Sequence, residues 1–587
     1  LMRLAFDIET DGLLDELTKV HIVAVISLDS DDAYTYRPDE LDKALEHLDK
    51  ATLLVGHNII LFDNPALEKV TGWKPKCELM DTLVMSRMLW SNISDIDWST
   101  KPKDMPVKLY GSHSLKAWGY RLGELKDEYK GSWDTWNEQM HSYARQDVEV
   151  QAKLFDKIHN ETTSKEATEL SHDLANVCRD IENAGWYFDL KKAGSLVSDL
   201  TQKREEIRFA LDKVYDDWYS PIQEVIPKVS VRNRVKGIPY TKIKHNSFNP
   251  SSRQMIANRL TTINGWKPKE FTPSGQPKVD ESVLSKLPFD EAQKLAEYFL
   301  LDKRLGMISE GSQAWLKLEQ NGKLHHQILV NNCVTQRVSH RNPNLAQVPS
   351  TRSPYGKECR SLFGVKPGWK LVGADYQGLE LRCLGHYLAK LDNGAFAKEV
   401  IEGDIHSKNA HALGINRDLA KTFIYALIYS AGAQRLGEIV GGNAREGSIL
   451  RERFFKEYPA FKTLRNQVLK AAKRGFLKGL DGRLLRVRSE HSALNLLLQS
   501  AGAILCAKWL VLFDKDMKKA GYRNGWDNDY NVLTWCHDEL QVSVTEGLEN
   551  DTGDRLCRMA EEAGRRLNFR CKVTAEYTVG ENWAATH

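Results

Sequence analysis

Nine cysteines in 587 residues form no C-x-x-C pair and no Cys/His cluster of zinc spacing. Their scatter excludes a zinc module and a disulfide framework read from spacing, and it fits a reducing, cytoplasmic compartment. No run approaches the roughly 20 apolar residues that a membrane span needs, so no membrane partner is expected. The first turns of the chain carry Arg3, Asp7, Glu9 and Asp11, which rules out the apolar core of a signal peptide there. Charge of one sign is also missing. The 82 Lys+Arg and 79 Asp+Glu leave a net charge of +3, so composition alone announces no polyanion binder, and any such signal must be local. There is no internal repeat and no low-complexity stretch. What is present is a 42% hydrophobic chain with 15 Trp and 20 Tyr, which argues for packed cores rather than disorder. Its length predicts two to four domains.

The first ~160 residues alternate strands and helices. Residues 4–8 and 20–28 read as strands, and 52–56 as a buried apolar run ending in His57-Asn58. Residues 164–219 read as helical and contain no proline. Composition then changes. Between Glu224 and Glu270 there is no acidic residue, while Lys228, Arg232, Arg234, Lys236, Lys242, Lys244, Arg253, Arg259, Lys267 and Lys269 all fall there. Such a segment is either a phosphate-contacting surface or a solvated loop. A strand is expected at 370–374, long helices over 405–510, and a strand–turn–strand around His537.

Asp7 and Glu9 lie two apart in the first strand, so both side chains leave on one face beside apolar Phe6 and Ile8. Two like charges there repel, and desolvation worsens the repulsion unless a divalent cation joins them. The alternative is a solvated edge strand. Asp63 follows the buried run, and Tyr143 and Asp147 stand at i and i+4 of a helix. Farther on, Asp375 closes the 370–374 strand, and Asp538 sits at the tip of a hairpin in His537-Asp538-Glu539. If those strands adjoin, the two aspartates form a second carboxylate pair. Otherwise they are ordinary polar strand ends. Between them Arg417, Lys421, Tyr425 and Tyr429 recur every fourth residue. Two cations followed by two aromatics suit a triphosphate with a base at its end, or else an exposed helix of chance spacing.

Together these motifs resemble known families. Asp7-x-Glu9, Asn58 through Asp63, and Tyr143-x-x-x-Asp147 resemble the DEDDy 3′→5′ exonucleases. Asp375-Tyr-Gln-Gly-Leu-Glu380-Leu-Arg382, the Arg417–Tyr429 stripe and His537-Asp538-Glu539 resemble motifs A, B and C of the family A DNA polymerases. Thr335-Gln-Arg337 resembles their palm-entry motif. The resemblance spans essentially the whole chain, with the replicative polymerases of T-seven-like podophages as the nearest branch.

The resemblance implies an α/β multidomain fold: a ribonuclease-H-like 3′→5′ exonuclease (1–163), a thumb (164–334), a palm in two parts (335–400 and 485–587) and fingers (401–484). It implies template-directed DNA synthesis with proofreading in phage replication, in the host-cell cytoplasm. Two Mg²⁺ ions per active site are expected, with Mn²⁺ as a substitute. Asp375 and Asp538 would hold one pair, and Asp7, Glu9, Asp63 and Asp147 the other, with Tyr143 orienting the attacking water. His406, Arg417 and Lys421 would take the triphosphate. Tyr425 would lie against the incoming sugar and Tyr429 near the templating position, and Glu380 would exclude a 2′-hydroxyl. Arg337, Asn495 and Gln499 would face the primer–template minor groove, with His537 and Glu539 at the primer end.

The partners implied are primer–template DNA, deoxynucleoside triphosphates, and a helicase–primase or single-strand-binding protein. Relatives carry a long basic thumb insertion that captures thioredoxin, upstream of a Phe-Asn-Pro-Ser-Ser stretch. Here only residues 220–247 precede Phe248-Asn-Pro-Ser-Ser252, so no thioredoxin clamp is expected. Gln336 and Ser430 stand where the family often has glycine. A single-subunit RNA polymerase shares the palm and fingers, but Glu380 and the exonuclease set argue against it. A catalytically inactive DNA-binding factor would have lost Asp7, Glu9, Asp375 or Asp538.

Overall fold

Arg3–Thr10 is the centre of the first sheet. It pairs antiparallel with Val20–Ser27 and parallel with Leu53–Gly56, and Ala33–Tyr36 and Glu78–Asp81 complete the two sides. Its neighbour Val20–Ser27 is almost wholly buried, the signature of a strand covered on both faces. Leu4, Phe6 and Ile8 pack on one side with Ala44, Leu48, Ala66 and Leu67. Ala5 packs on the other with Met140, Ala144 and Val148 of the Glu138–His159 helix. The computed structural model describes residues 2–30, 32–124, 129–161 and 163–587.

The second sheet is antiparallel, in the order Tyr530–Cys536, Glu539–Thr545, Trp369–Tyr376, Ala575–Gly580. The Ala493–Lys519 and Glu549–Arg566 helices cover it, and Trp509 Nε1 donates to the Leu556 carbonyl at 2.8 Å. The expectation that no run approaches membrane length needs correction. Glu490–Lys519 is long and apolar enough, with a mean hydropathy of 1.8, but 89% of its apolar window is buried in the fold. It is apolar all round because it is a core helix.

Contacts divide the chain into two units: Leu1–Trp186 with His325–Val348 and Gly364–His587, and Tyr187–Leu324 with Pro349–Phe363. The Lys165–Ala184 helix, grouped with the thumb by the sequence boundary at 164, falls in the first unit, where Leu170, Leu174, Val177 and Ile181 join its core. The expected helical run 164–219 is broken at Gly185. There φ is 61°, and a Cβ would meet the His325 ring at 2.7 Å. The second unit has its own core of Leu211, Tyr215, Phe248, Ile256, Leu260 and Leu295. In it the basic segment forms the outer part of a hairpin, Trp218–Val225 against Tyr240–Asn246. Trp218 and Tyr219 are therefore strand residues, not the end of a helix. The hairpin exposes Ile222, Val229, Val235 and Ile243 between its cations.

The expected helices of 405–510 are interrupted by a small hairpin, Phe476–Lys478 with Leu484–Arg486. Among them, Ala433–Ile439 and Ala444–Glu457 touch backbone to backbone. A Cβ on Gly447 would lie 1.9 Å from the Ala433 carbonyl oxygen. Gly447→Ala is therefore expected to lower stability by about 1–3 kcal/mol, read as a lower urea midpoint at unchanged m-value.

Candidate active sites

Strand alternation sends Ala5, Asp7 and Glu9 to the face that the Glu138–His159 helix covers. That helix starts where the Asn137 side chain accepts from the Gln139 and Met140 N–H groups. Its stripe at intervals of four then lays Tyr143, Asp147 and Gln151 over the strand. Asp7, Glu9 and Asp147 each present a carboxylate oxygen within 4.8 Å of the others. Gln151 Nε2 donates to Asp7 Oδ1 at 2.8 Å. Asp63, the first residue of the Asp63–Thr71 helix, accepts from the Ile8 N–H at 3.2 Å. Burial pushes its carboxyl up to about 7; the Ile8 bond works against that rise, and the charges of Asp81 and Asp147 add to it. Tyr143 is half-buried, its ring 5.9 Å from Tyr129 and 6.0 Å from Trp133.

Sequence reasoning missed two residues here. Asp81 is buried, caps the Thr82–Leu89 helix, and also accepts from the N–H groups of Asn58 and Ile60 at 3.0 and 3.2 Å. It therefore fixes the loop before Asp63, and nothing in the local sequence signals it. Gln151 was legible as the next member of the Tyr143–Asp147 stripe.

At the second sheet, Asp375 stands opposite Glu539 on one side and Glu576 on the other. His537 takes a left-handed φ of 60°, which turns the chain so that the Asp538 carbonyl accepts from the Tyr376 N–H at 3.1 Å. Asp375 and Asp538 are thus brought together from distant parts of the chain. Burial pushes the Asp375 carboxyl up to about 6, with Asp538, Glu576 and Glu539 adding repulsion. Burial also raises Asp538. Glu539, expected at the primer end, is 5% exposed. It accepts from Gln541 Nε2 and Trp583 Nε1, and His587 Nδ1 lies 3.1 Å away. With its oxygens so engaged, it braces the turn that carries Asp538.

Glu380 sits in the first turn of the Leu379–Leu388 helix and accepts from the Tyr429 hydroxyl. The stripe helix runs Arg417–Ile428, so Tyr429 is its C-cap rather than a member, and Ser430 beyond it has a φ of 61°. Tyr425 is raised by burial and then by the charges of Glu380 and Asp538, and its ring lies 6.2 Å from His406. Arg417 Nε donates to Asp404 Oδ2 at 3.0 Å, a partner the sequence did not suggest. Lys421 is exposed. Arg337 acts electrostatically on Tyr429. Asn495 and Gln499 are half-buried, one turn apart, on the helix whose Cys506 senses Asp538.

Both groups offer carboxylate oxygen donors drawn close together. That donor set suits a hard divalent cation.

Asp63 gives a pH test. Its folded pKa of about 7 lies above its ordinary 3.8. The folded state therefore binds the proton more tightly, and Asp63 costs stability as pH rises from about 4 through about 7. In chelated protein, Asp63→Asn is expected to melt higher than wild type at about pH 8, with the difference narrowing through about pH 5 and closing near about pH 4. An unchanged difference across that range would show that Asp63 is not held in this way.

The sequence profile of DNA polymerase family A matches residues 231–585. Over its whole length the chain is 34% identical to the DNA-directed DNA polymerase of Enterobacteria phage T3, covering 100% of both. It is 34% identical to that of Escherichia phage T7, covering 99% of each. The fold is similar to the POL domain of Pol1 from M. smegmatis, solved in complex with DNA primer-template and dNTP. That likeness has a TM-score of 0.74 at 18% identity, over 99% of this chain and 96% of that one.

Proposed function

The chain belongs to DNA polymerase family A and is a DNA-directed DNA polymerase of phage replication, and on that premise we propose that it also proofreads, each activity having its own carboxylate site. The observation that carries the proofreading reading is the meeting of Asp7, Glu9 and Asp147 under one helix. The polymerase centre is Asp375 with Asp538. Two divalent cations at each site, magnesium or manganese, would supply Lewis-acid chemistry, easing deprotonation of the attacking hydroxyl or water and neutralising the leaving group.

The chain's own residues do the rest. Asp375, on its strand, and Asp538, in the adjoining turn, hold a rigid floor for the primer end and the triphosphate. Lys421, Arg417 and His406 bind the phosphates, and Arg417 leaves Asp404 to do so. Glu380, held by the Tyr429 hydroxyl, closes the sugar pocket against a 2′-hydroxyl. Arg337, Asn495 and Gln499 donate to minor-groove acceptors that every correct base pair presents alike, so they test pair shape without reading sequence. His537, exposed beside Asp538, meets the primer end. In the exonuclease site Asp63 completes the carboxylate set and Tyr143 orients the attacking water.

The basic hairpin of the second unit grips the phosphate backbone directly and does not dock a thioredoxin-sized clamp. Its strands and turn use up the residues that separate Trp218 from Asn246. A helicase–primase or single-strand-binding protein would complete the replication apparatus.

The two activities should separate. Asp7→Ala with Glu9→Ala should abolish 3′-end degradation and spare primer extension, and Asp375→Asn should do the reverse. If either change removes both activities from a folded protein, the assignment fails.

Tyr425 offers a finer test, since Glu380 and Asp538 both act on its half-buried hydroxyl. That hydroxyl can replace the hydrogen bond lost when a nucleotide lacks its 3′-hydroxyl. Tyr425→Phe should therefore raise discrimination against dideoxynucleotides by at least about tenfold in single-turnover incorporation.

A further inference from the structure

Gln336 occupies a glycine-type backbone position. Its φ is 63°, a left-handed conformation that penalises any residue with a Cβ. It is 4% exposed, and both ends of its amide are engaged. Nε2 donates to the Met88 carbonyl at 3.4 Å, and Oε1 accepts from Arg483 at 3.1 Å. Arg483 is itself held by buried Asp481 at 2.7 Å and donates to Asn331 at 2.9 Å.

Met88 lies in the last turn of the Thr82–Leu89 helix, where carbonyls lack intrahelical partners. The Leu89 carbonyl accepts from Arg486 Nε at 3.1 Å. The far end of the same helix is capped by Asp81, which holds the Asn58–Ile60 backbone beside the exonuclease carboxylates. A single eight-residue helix thus runs from the exonuclease loop to the turn that carries Arg337. Within that turn the Gln336 N–H donates to the Cys333 carbonyl at 2.8 Å.

We propose that Gln336 is a positioning residue that locks the Arg337 turn to the end of the Thr82–Leu89 helix, and thereby sets how often a mispaired primer end is excised within one DNA-binding event. The proposal rests on the two-site reading above. Arg337 tests the terminal pair, and the helix is tied to the loop that precedes Asp63. Gln336 joins the two through its amide, and that side chain is what glycine would lack.

The test uses Gln336→Gly, which accepts the positive φ and removes both bonds. A second variant, Gln336→Glu, keeps the Arg483 contact but cannot donate to the Met88 carbonyl. Full-length enzyme is bound to a primer–template with one terminal mismatch and started with Mg²⁺ together with a DNA trap. The fraction of primers excised before dissociation is then measured. Both variants are expected to lower that fraction about threefold, the scale on which one buried hydrogen bond shifts a partition. Excision of single-stranded DNA and incorporation opposite a matched template should stay at wild-type rates. An unchanged fraction overturns the proposal, as does a fall matched by equal loss of single-strand excision. Failure of the wild type to excise single strands would instead overturn the proofreading reading itself.

Discussion

Asp375 faces Glu539 across one strand pair and Glu576 across the other, and backbone hydrogen bonds, not side-chain preference, hold it there. The ladder forces carboxylates together at a place where burial already disfavours their charge. The same constraint governs the first sheet. Asp7 and Glu9 share a face because a strand alternates, and Asp147 joins them because the helix that buries Ala5 must lie over that face. In both places packing energy elsewhere in the sheet sustains an electrostatic arrangement that would not persist by itself. The proposed metal chemistry and substrate positioning both rest on it.

The two sites differ in how that charge is tempered. In the first, Gln151 and the Ile8 N–H donate to carboxylate oxygens, and neither brings a full positive charge. In the second, Glu539 is occupied by Trp583, Gln541 and His587, while the Asp375 carboxylate, though partly desolvated by its surroundings, stays accessible at its strand end. Arg417 and Lys421 lie on the Arg417–Ile428 helix, and Arg417 is engaged by Asp404. Negative charge is thus kept available at the floor of the site, and positive charge is kept on an element at its margin.

Much of this was legible in the sequence, and for a physical reason. Period-two alternation placed Asp7 with Glu9, and four-residue spacing placed Tyr143 with Asp147. Both are local rules. The pairing of Asp375 with Asp538 is not local; only the resemblance to a family brought those strands together, and the register then confirmed the neighbourhood. Asp81 and Asp404 were invisible because each caps a helix in the ordinary way and takes its second role from a segment brought in by tertiary packing. The partners of Glu539 were not legible because Trp583 and His587 arrive from more than forty residues farther along the chain. The break at Gly185 was missed because no proline marks it; the close approach of His325 requires it. The two positions singled out for lacking glycine, Gln336 and Ser430, both keep the left-handed backbone. At Gln336 the side chain gains two buried partners. Nothing in the structure explains the serine.

The core helix Glu490–Lys519 has a consequence for how the protein is made. Its cover comes from the helices Lys165–Ala184, Leu379–Leu388 and Pro459–Ala472, which precede it in the chain, and from Glu549–Arg566, which follows it. During synthesis this segment leaves the ribosome before the last of these partners exists. For that interval it reads, to any factor that scans nascent chains, as a hydrophobic segment bound for a bilayer. A chain halted between residues 519 and 549 would leave uncovered the face that Glu549–Arg566 packs against.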